Sequence, residues 1–191
     1  KIMLPGKYRL QKIKHPHYYW LPWIGLLTGA RINEICQLHL SDIREVDGVW
    51  VFDINDEKEK MLKSASSARL IPIHSKLIEL GFMEYVEQLR TRKEDRLFPE
   101  LKKQRDGYSQ AASKWFGRYR RRVGVHSKTK AYHSFRHTVG NHLKQKGLPG
   151  EQIGAILGHK DESITTGRYG KEYGPAFLKE IVEQLEFDLS D

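Results

Sequence analysis

Apolar residues recur at helical spacing along most of the chain, and this pattern predicts its first two elements. Residues 18–27 are apolar on every side, as expected for a helix that is buried in a core. After an interruption at Gly29, residues 31–40 carry apolar side chains three and four positions apart, and the run ends at Ser41. The first forty residues therefore predict two helices in succession.

A short strand-rich stretch follows these helices. The sequence Val-Asp-Gly-Val at residues 46–49 indicates a tight hairpin, since Asp-Gly suits the left-handed backbone of a two-residue turn. The apolar runs at residues 49–52 and 70–73 have the length and composition of strands. Together these segments predict a small antiparallel sheet of about three strands.

Helical spacing returns after the sheet. Ser75 is a suitable N-cap for a helix. The apolar residues that share one face of this helix are Ile78, Phe82, Val86 and Leu89. Further helices are predicted over residues 109–123, 132–146 and 149–157 and from Pro175 onwards. The element count predicts an α+β fold that is mostly α-helical, with a small three-stranded antiparallel sheet.

Charge is unevenly distributed along the 191 residues. The chain has 33 Lys and Arg against 24 Asp and Glu, a net of +9. Residues 172–191 hold six acids and one base, a net of −5, so residues 1–171 carry +14. A net charge of +14 on residues 1–171 favours a polyanion partner, most often nucleic acid. The alternative is an ordinary basic protein that binds no polyanion. The single cysteine, Cys36, excludes an internal disulfide and fits a reducing cytosol, and no apolar stretch approaches the ~20 residues that span a membrane.

The end of the helix predicted over residues 109–123 is densely basic. Four arginines surround Tyr119 there and indicate a surface that follows phosphates, with an ordinary solvated helix face as the alternative. The candidate nucleic-acid-binding residues are Arg118, Arg120, Arg121, Arg122 and Lys128.

Several familiar catalytic motifs are missing from the sequence. There is no Gly-x-x-x-x-Gly-Lys-Ser/Thr loop, Gly-x-Ser-x-Gly turn, Cys-x-x-Cys pair or His-Glu-x-x-His helix. His133 and His137 have a spacing that a metal can use, but Arg136 shares their face and no nearby Glu or Cys completes a ligand set. We therefore expect no metal site and no cofactor.

Two arginines and two histidines form a candidate phosphate site. Arg31 begins one predicted helix, His133 and Arg136 lie three apart on another, and His159 follows a helix end. Together they suit a phosphate whose oxygens gain charge in a transition state, although Arg31 alone has a simpler interpretation as an ion pair with the residue three positions on. Tyr169, ten residues after His159 in a polar segment, is a candidate nucleophile.

Four short segments occur in a characteristic order along the chain. They are Thr-Gly-Ala-Arg-Ile-Asn-Glu-Ile at residues 28–35, His-Ser-Phe-Arg-His at 133–137, Leu-Gly-His at 157–159, and Tyr169. In order and spacing they resemble the catalytic domain of the tyrosine recombinases, the phage-integrase family, over residues 15–175. The resemblance implies the fold of this family, that of a DNA breaking-rejoining enzyme. It also implies a lysine in the hairpin ahead of the last strand, where Lys63 matches and Lys58 and Lys60 are nearby alternatives.

The resemblance implies a mechanism in which Tyr169 attacks a scissile phosphodiester. A 3′-phosphotyrosine bond forms, and the released 5′-hydroxyl of a partner strand later reverses the step without ATP or a metal. Tyr173 is the alternative nucleophile. The implied roles of the remaining site residues are phosphate clamping by Arg31, Arg136 and His159, protonation of the leaving oxygen by Lys63, proton transfer at the tyrosine by His133, and support of Arg31 by Glu34.

The resemblance also implies an organisation and partners. Residues 1–14 are expected to end a linker from a missing N-terminal DNA-binding domain, residues 15–174 to form the catalytic domain, and residues 175–191 to form an acidic amphipathic helix that docks on its own domain or on a neighbouring subunit. The partners are double-stranded DNA attachment sites of a mobile element, three further copies in a homo-tetramer that assembles on DNA from free monomers, and accessory DNA-bending proteins. The expected location is the cytoplasm of a bacterium, at the nucleoid, with no membrane contact.

Two alternative functions stay open. A type IB topoisomerase has a similar active site and relaxes DNA without a partner strand. A noncatalytic DNA-binding protein of the same fold is the second alternative, and it normally lacks at least one of the central catalytic residues.

Overall fold

The computed structural model describes residues 14–64, 67–127, 129–158 and 173–188. The elements in chain order are α1 (His17–Thr28), α2 (Ile32–Cys36), a 3₁₀ turn (Leu40–Asp42), β1 (Ile43–Val46), β2 (Val49–Ile54), β3 (Arg69–Pro72), α3 (Ser75–Glu79), α4 (Phe82–Thr91), α5 (Gln110–Arg122), α6 (Ser134–Gln145), α7 (Gly150–Leu157) and α8 (Pro175–Val182). The predicted fold class, mostly helical with a three-stranded antiparallel sheet, is confirmed.

Helix α1 forms the centre of the core. All of its residues except Tyr18 are buried, as its apolar composition predicts. It packs against α2, α5 and α6. A Cβ atom on Gly25 would lie 2.6 Å from the hydroxyl of Tyr132, so the glycine lets the start of α6 approach α1 closely. This contact brings two distant parts of the sequence together at one end of α1.

The sheet has the order β1-β2-β3, with both pairs antiparallel. Asp47 and Gly48 adopt left-handed backbone angles, φ 50° and 76°, as the Asp-Gly turn predicts. Strand β2 pairs with β3 across residues 51–54 and 69–72. The segment that connects these two strands contains Lys63, so the sheet determines where this lysine emerges.

Two helices differ from the sequence-based expectation. The second helix ends at Cys36 instead of continuing to residue 40, because Leu38 accepts a backbone hydrogen bond from Leu97 and the chain becomes extended. The helix expected from Ser75 is two helices, since Gly81 adopts φ 93° between them. Ile78 is therefore exposed, and the neighbouring Leu77 is buried in its place. The N-cap is His74, whose Nδ1 accepts the amide hydrogen of Lys76, and not Ser75.

Helix α8 packs on the sheet of its own chain. It contacts β3 and β2, and its apolar face is buried there. The ammonium of Lys179 donates to the carbonyl of Ile73 at 2.6 Å, and the carboxylate of Glu183 accepts the amide hydrogen of Ser75 at 2.8 Å. Within this single chain α8 therefore packs in cis, and whether it docks on its own domain or on a neighbouring subunit in the assembled protein stays a prediction.

Candidate active site

The turn between α1 and α2 carries the first arginine of the site. Gly29 ends α1 with φ 65°, and the hydroxyl of Thr28 accepts the amide hydrogen of Ala30. Arg31 follows as the N-cap residue of α2. The carbonyl of Gly29 accepts a hydrogen bond of 3.1 Å from Nη1 of Arg136 on α6. The short turn therefore brings Arg31 and Arg136 to the same end of α1.

Glu34 holds Arg31 on one side of the site. Oε2 of Glu34 accepts the backbone amide hydrogen of Arg31 at 2.8 Å, and Oε1 accepts from Nη1 of its guanidinium at 2.6 Å. Glu34 is only 3% exposed, and burial by itself would raise its pKa. Hydrogen bonds from Arg69 and Arg31 outweigh this effect and hold the pKa of Glu34 below its ordinary value.

Arg136 is a buried cation with unused donors. It is 3% exposed, and within the described residues neither Nε nor Nη2 has a hydrogen-bond partner. Burial, together with the charges of Arg31 and Arg69, lowers the pKa of Arg136 to about 10. Because a buried and unpaired charge is unfavourable, this geometry favours an anion beside Arg136.

His133 precedes α6 and faces several cations. Partial burial lowers its pKa, and the charges of its neighbours lower it further. Those neighbours are His137, Arg136, Arg31 and Lys63. The imidazole is therefore neutral near neutral pH and is able to accept or donate a proton.

The three lysines between β2 and β3 have different surroundings. Lys60 is buried, and its Nζ lies 2.7 Å from Oδ1 of Asp42. Nζ of Lys58 lies 3.8 Å from Oδ1 of Asp95, on the segment that follows α4. Lys63 is exposed, and its charge acts on His133. The first two lysines thus have partners elsewhere, whereas Lys63 lies beside the candidate site.

Arg69, which the sequence analysis did not single out, is also part of this site. It donates to the Glu34 carboxylate and to the carbonyl of Ile156 near the end of α7. Gly158 then ends α7 with φ 70°, directly before His159 in the sequence. The signal that would have indicated Arg69 is a basic residue at the start of a buried strand, a position where a cation needs a carboxylate partner.

Three predicted residues lie outside the described part of the chain, namely His159, Tyr169 and Lys128. The alternative nucleophile Tyr173 is described. Its hydroxyl donates to Oε1 of Glu151 at 2.9 Å, and both burial and this carboxylate raise the pKa of Tyr173. Glu151 lies in the first turn of α7, whereas the contacts with Arg69 and Gly29 are made at its last turn. The two sets of contacts lie about 8–9 Å apart along the helix.

The arginines at the end of α5 form two groups that differ in exposure. Arg118, Arg121 and Arg122 are exposed. Arg120 is half-buried, and its Nη1 donates to the carbonyls of Val125 at 2.9 Å and Ser127 at 2.7 Å. Arg120 therefore holds the loop after α5, a structural role that the sequence did not predict.

Two kinds of feature are absent from the described residues. These residues include no cluster of three or more His, Cys, Asp or Glu side chains that could hold a metal ion. None of their helices is long and apolar enough to cross a membrane.

Comparison with known proteins identifies the family to which the chain belongs. The family described as the phage integrase family matches residues 13–173. The tyrosine recombinase XerA of Pyrococcus horikoshii is 26% identical over 166 residues, which cover 83% of this chain and 51% of that protein. The solved structure of the XerH site-specific recombinase bound to difH substrate, a pre-cleavage complex, has a TM-score of 0.55 and 21% identity and covers 97% of this chain and 51% of that one. The chain spans about half the length of both relatives, and by its match over most of its residues it belongs to the phage integrase family, the tyrosine recombinases.

Proposed function

We propose that this chain is the catalytic domain of a site-specific DNA recombinase, which cleaves and rejoins strands through a 3′-phosphotyrosine intermediate to integrate or excise a mobile element. The observation that carries the proposal is that two nitrogens of the buried Arg136 guanidinium, Nε and Nη2, have no hydrogen-bond partner within the described residues. A phosphodiester supplies the anionic oxygens that these groups lack. Membership of the tyrosine recombinases supports the same substrate class.

Arg31 and Arg136 bind the two non-bridging oxygens of the scissile phosphate. Guanidinium groups suit this task because their donors form a rigid planar fork. Negative charge grows on these oxygens during the reaction, so donors that are already in position stabilise the transition state more than the bound substrate. His159 adds a third donor by its position in the sequence, immediately after the end of α7.

The chemical step forms one bond and breaks another. The oxygen of Tyr169 attacks phosphorus and gives its proton to His133, whose lowered pKa keeps the imidazole able to accept it. The bond from phosphorus to the 5′-oxygen breaks, and the ammonium of Lys63 protonates that oxygen. The 5′-hydroxyl of a partner strand reverses these steps and releases Tyr169.

The contacts of Tyr173 support Tyr169 as the nucleophile. The Tyr173 hydroxyl is hydrogen-bonded to Glu151 at the first turn of α7, about 8 Å along the helix from Ile156, whose carbonyl contacts Arg69. A raised pKa also makes the Tyr173 phenolate harder to form. Both properties suit a structural tyrosine.

A DNA half-site with a nick beside the scissile phosphate tests the proposal, because it traps the covalent intermediate. We expect the chain to form an adduct that survives denaturation, also in EDTA, since arginine side chains stabilise the phosphate in this mechanism. Tyr169→Phe should abolish the adduct and preserve DNA binding, whereas the matched control Tyr173→Phe should still form it. An adduct that depends on Tyr173 would overturn the nucleophile, and absence of any adduct would contradict the function. Relaxation of plasmids that lack a recombination site would instead favour the topoisomerase alternative.

The proposal extends to the whole protein. Since the chain covers about half of its relatives, we propose that residues 1–14 continue from an N-terminal DNA-binding domain and that four copies assemble on paired DNA sites, with accessory DNA-bending proteins. The XerH recombinase is seen in complex with its difH substrate, and this supports duplex DNA as the partner here.

A further inference from the structure

We infer that Arg69 is a positioning residue of the active site, which holds the Glu34 carboxylate by hydrogen bonds and thereby fixes Arg31 for phosphate binding. This inference rests on the proposed function and adds a residue to it. Arg69 is the first residue of β3, and its side chain connects this strand with α2 and α7.

The Arg69 guanidinium uses all three of its nitrogens. Nε donates to the carbonyl of Ile156 at 2.7 Å, Nη1 donates to the carbonyl of Ser67 at 2.6 Å, and Nη2 donates to Oε2 of Glu34 at 2.9 Å. Nη1 also lies 3.4 Å from Oε1 of Glu34. The side chain is only 6% exposed. Arg69 therefore has little capacity to bind a phosphate directly, and it acts through its protein partners.

Glu34 lies between two guanidinium groups with different tasks. Arg31 is half-buried, and within the described residues its guanidinium forms hydrogen bonds through Nη1, which leaves other donors for a ligand. Arg69 is fully engaged by protein groups on the other side of the carboxylate. The carboxylate must stay charged to hold Arg31, yet its burial favours the neutral form. Among the groups that favour the ionised form, Arg69 contributes the largest effect.

The end of α7 packs directly on Arg69. A Cβ atom on Gly158 would lie 2.7 Å from Nη1 of Arg69. Because the hydrogen bond to Ile156 is made in the same turn, displacement of the guanidinium would also release the end of this helix. Arg69 thus couples the position of Arg31 to the position of α7.

The test compares Arg69→Gln with the wild-type protein. A glutamine carries no charge, so the largest effect that opposes burial is lost and the pKa of Glu34 should rise. We expect carboxyl-carbon NMR titration to detect this rise directly, independently of activity. Single-turnover cleavage of the nicked half-site should slow by about 10²-fold, since small displacements of a catalytic group have effects of this size. DNA affinity and cooperative thermal unfolding should be retained.

The pH dependence separates positioning from a general structural defect. Glu34 loses its charge at higher pH in Arg69→Gln than in wild type, so the ratio of the variant rate to the wild-type rate should fall as the pH is lowered. Taking the ratio removes the contribution of His133, which both proteins share. Arg69→Lys keeps a positive charge and should restore part of the rate and a lower Glu34 pKa.

Arg44→Gln is the matched control. Arg44 also lies on the sheet and donates from Nε and Nη2 to one carboxylate, that of Asp53, but this pair is solvent-exposed. We expect unchanged cleavage in this variant. If Arg69→Gln does not fold, the Glu34 titration in Arg69→Lys takes its place, and a raised pKa relative to wild type is expected.

An unchanged Glu34 pKa, or a rate ratio that does not vary with pH, would overturn the inference. Absence of the covalent adduct in the wild-type protein would contradict the proposed function instead. The NMR titration would still test the effect of Arg69 on Glu34 in that case.

Discussion

Arg136 is the residue at which the proposed function conflicts most directly with stability. Its buried guanidinium has one hydrogen bond to Gly29, and two of its nitrogens, Nε and Nη2, have no partner in the described residues. A charge in this state is unfavourable for the free protein and becomes favourable only when an anion binds.

Replacement of Arg136 should therefore separate stability from activity. We expect Arg136→Met to raise the free energy of unfolding by about 1 kcal/mol or more, because an apolar side chain removes the uncompensated buried charge. The same change should lower the cleavage rate by about 10²–10³-fold, the usual effect of losing one preorganised donor. Denaturant unfolding and single-turnover cleavage measure the two quantities. A variant that is less stable than wild type would show that the Arg136 charge is already compensated in the free protein.

The position of Lys63 can be tested through the pKa of His133. The charge of Lys63 lowers this pKa, whereas Lys58 lies beside Asp95. We expect Lys63→Met to raise the pKa of His133 towards its ordinary value, as measured by NMR titration of the ring protons. Lys58→Met is the control and should leave it unchanged. If Lys58→Met changed the pKa of His133 and Lys63→Met did not, Lys58 would be the lysine beside His133.

At the scale of elements, the close contact between α1 and α6 determines the distance between Arg31 and Arg136. Gly25 allows this contact, because a Cβ atom there would meet the Tyr132 hydroxyl at 2.6 Å. We expect Gly25→Ala to destabilise the protein by about 1–3 kcal/mol and to slow cleavage, since overpacking pushes α6 and Arg136 away from Arg31. Gly117→Ala on α5 is the control, because nothing lies within 4 Å of its added Cβ. It should stabilise the protein by about 0.5–1 kcal/mol, as glycine disfavours a helix interior. Equal effects of the two changes in thermal unfolding would contradict this role of Gly25.

The sequence predicted these elements to different degrees. The all-apolar α1 and the Asp-Gly hairpin follow from local pattern, so both were predictable. The early end of α2 was not, because it depends on a backbone hydrogen bond from Leu97, far along the chain. Apolar spacing indicates which face of an element is buried, but it does not reveal which partner the backbone meets.

The same distinction applies to the candidate site. Arg31, Glu34 and Arg136 were predicted from short motifs, and the structure brings them together. Arg69 was missed because its role depends on three acceptors from three separate segments, and no local spacing encodes that convergence. Arg120 was assigned to DNA by its neighbours in sequence, although its guanidinium binds backbone carbonyls.

At the scale of the whole molecule, the net charge of +14 on residues 1–171 predicts salt-sensitive DNA binding. The exposed residues Arg118, Arg121 and Arg122 are the candidates on α5. We expect their joint replacement by Ala to weaken binding and to reduce the slope of log K against log salt by about 1 for each phosphate that the variant no longer binds. Fluorescence anisotropy at several salt concentrations measures this slope. Arg44→Ala, an exposed arginine on the sheet, is the control, and an equal change in that variant would assign the effect to net charge alone.

The packing of α6 on α1 also has a consequence for biosynthesis. Arg136 donates to a carbonyl 107 positions earlier in the chain, and Lys179 on α8 donates to one 106 positions earlier. Contacts between such distant segments form late in folding, because a long loop must close before they stabilise anything. A ribosome-bound chain therefore carries Arg31 well before it has Arg136, and the two arginines come together only after α6 has emerged and packed on α1.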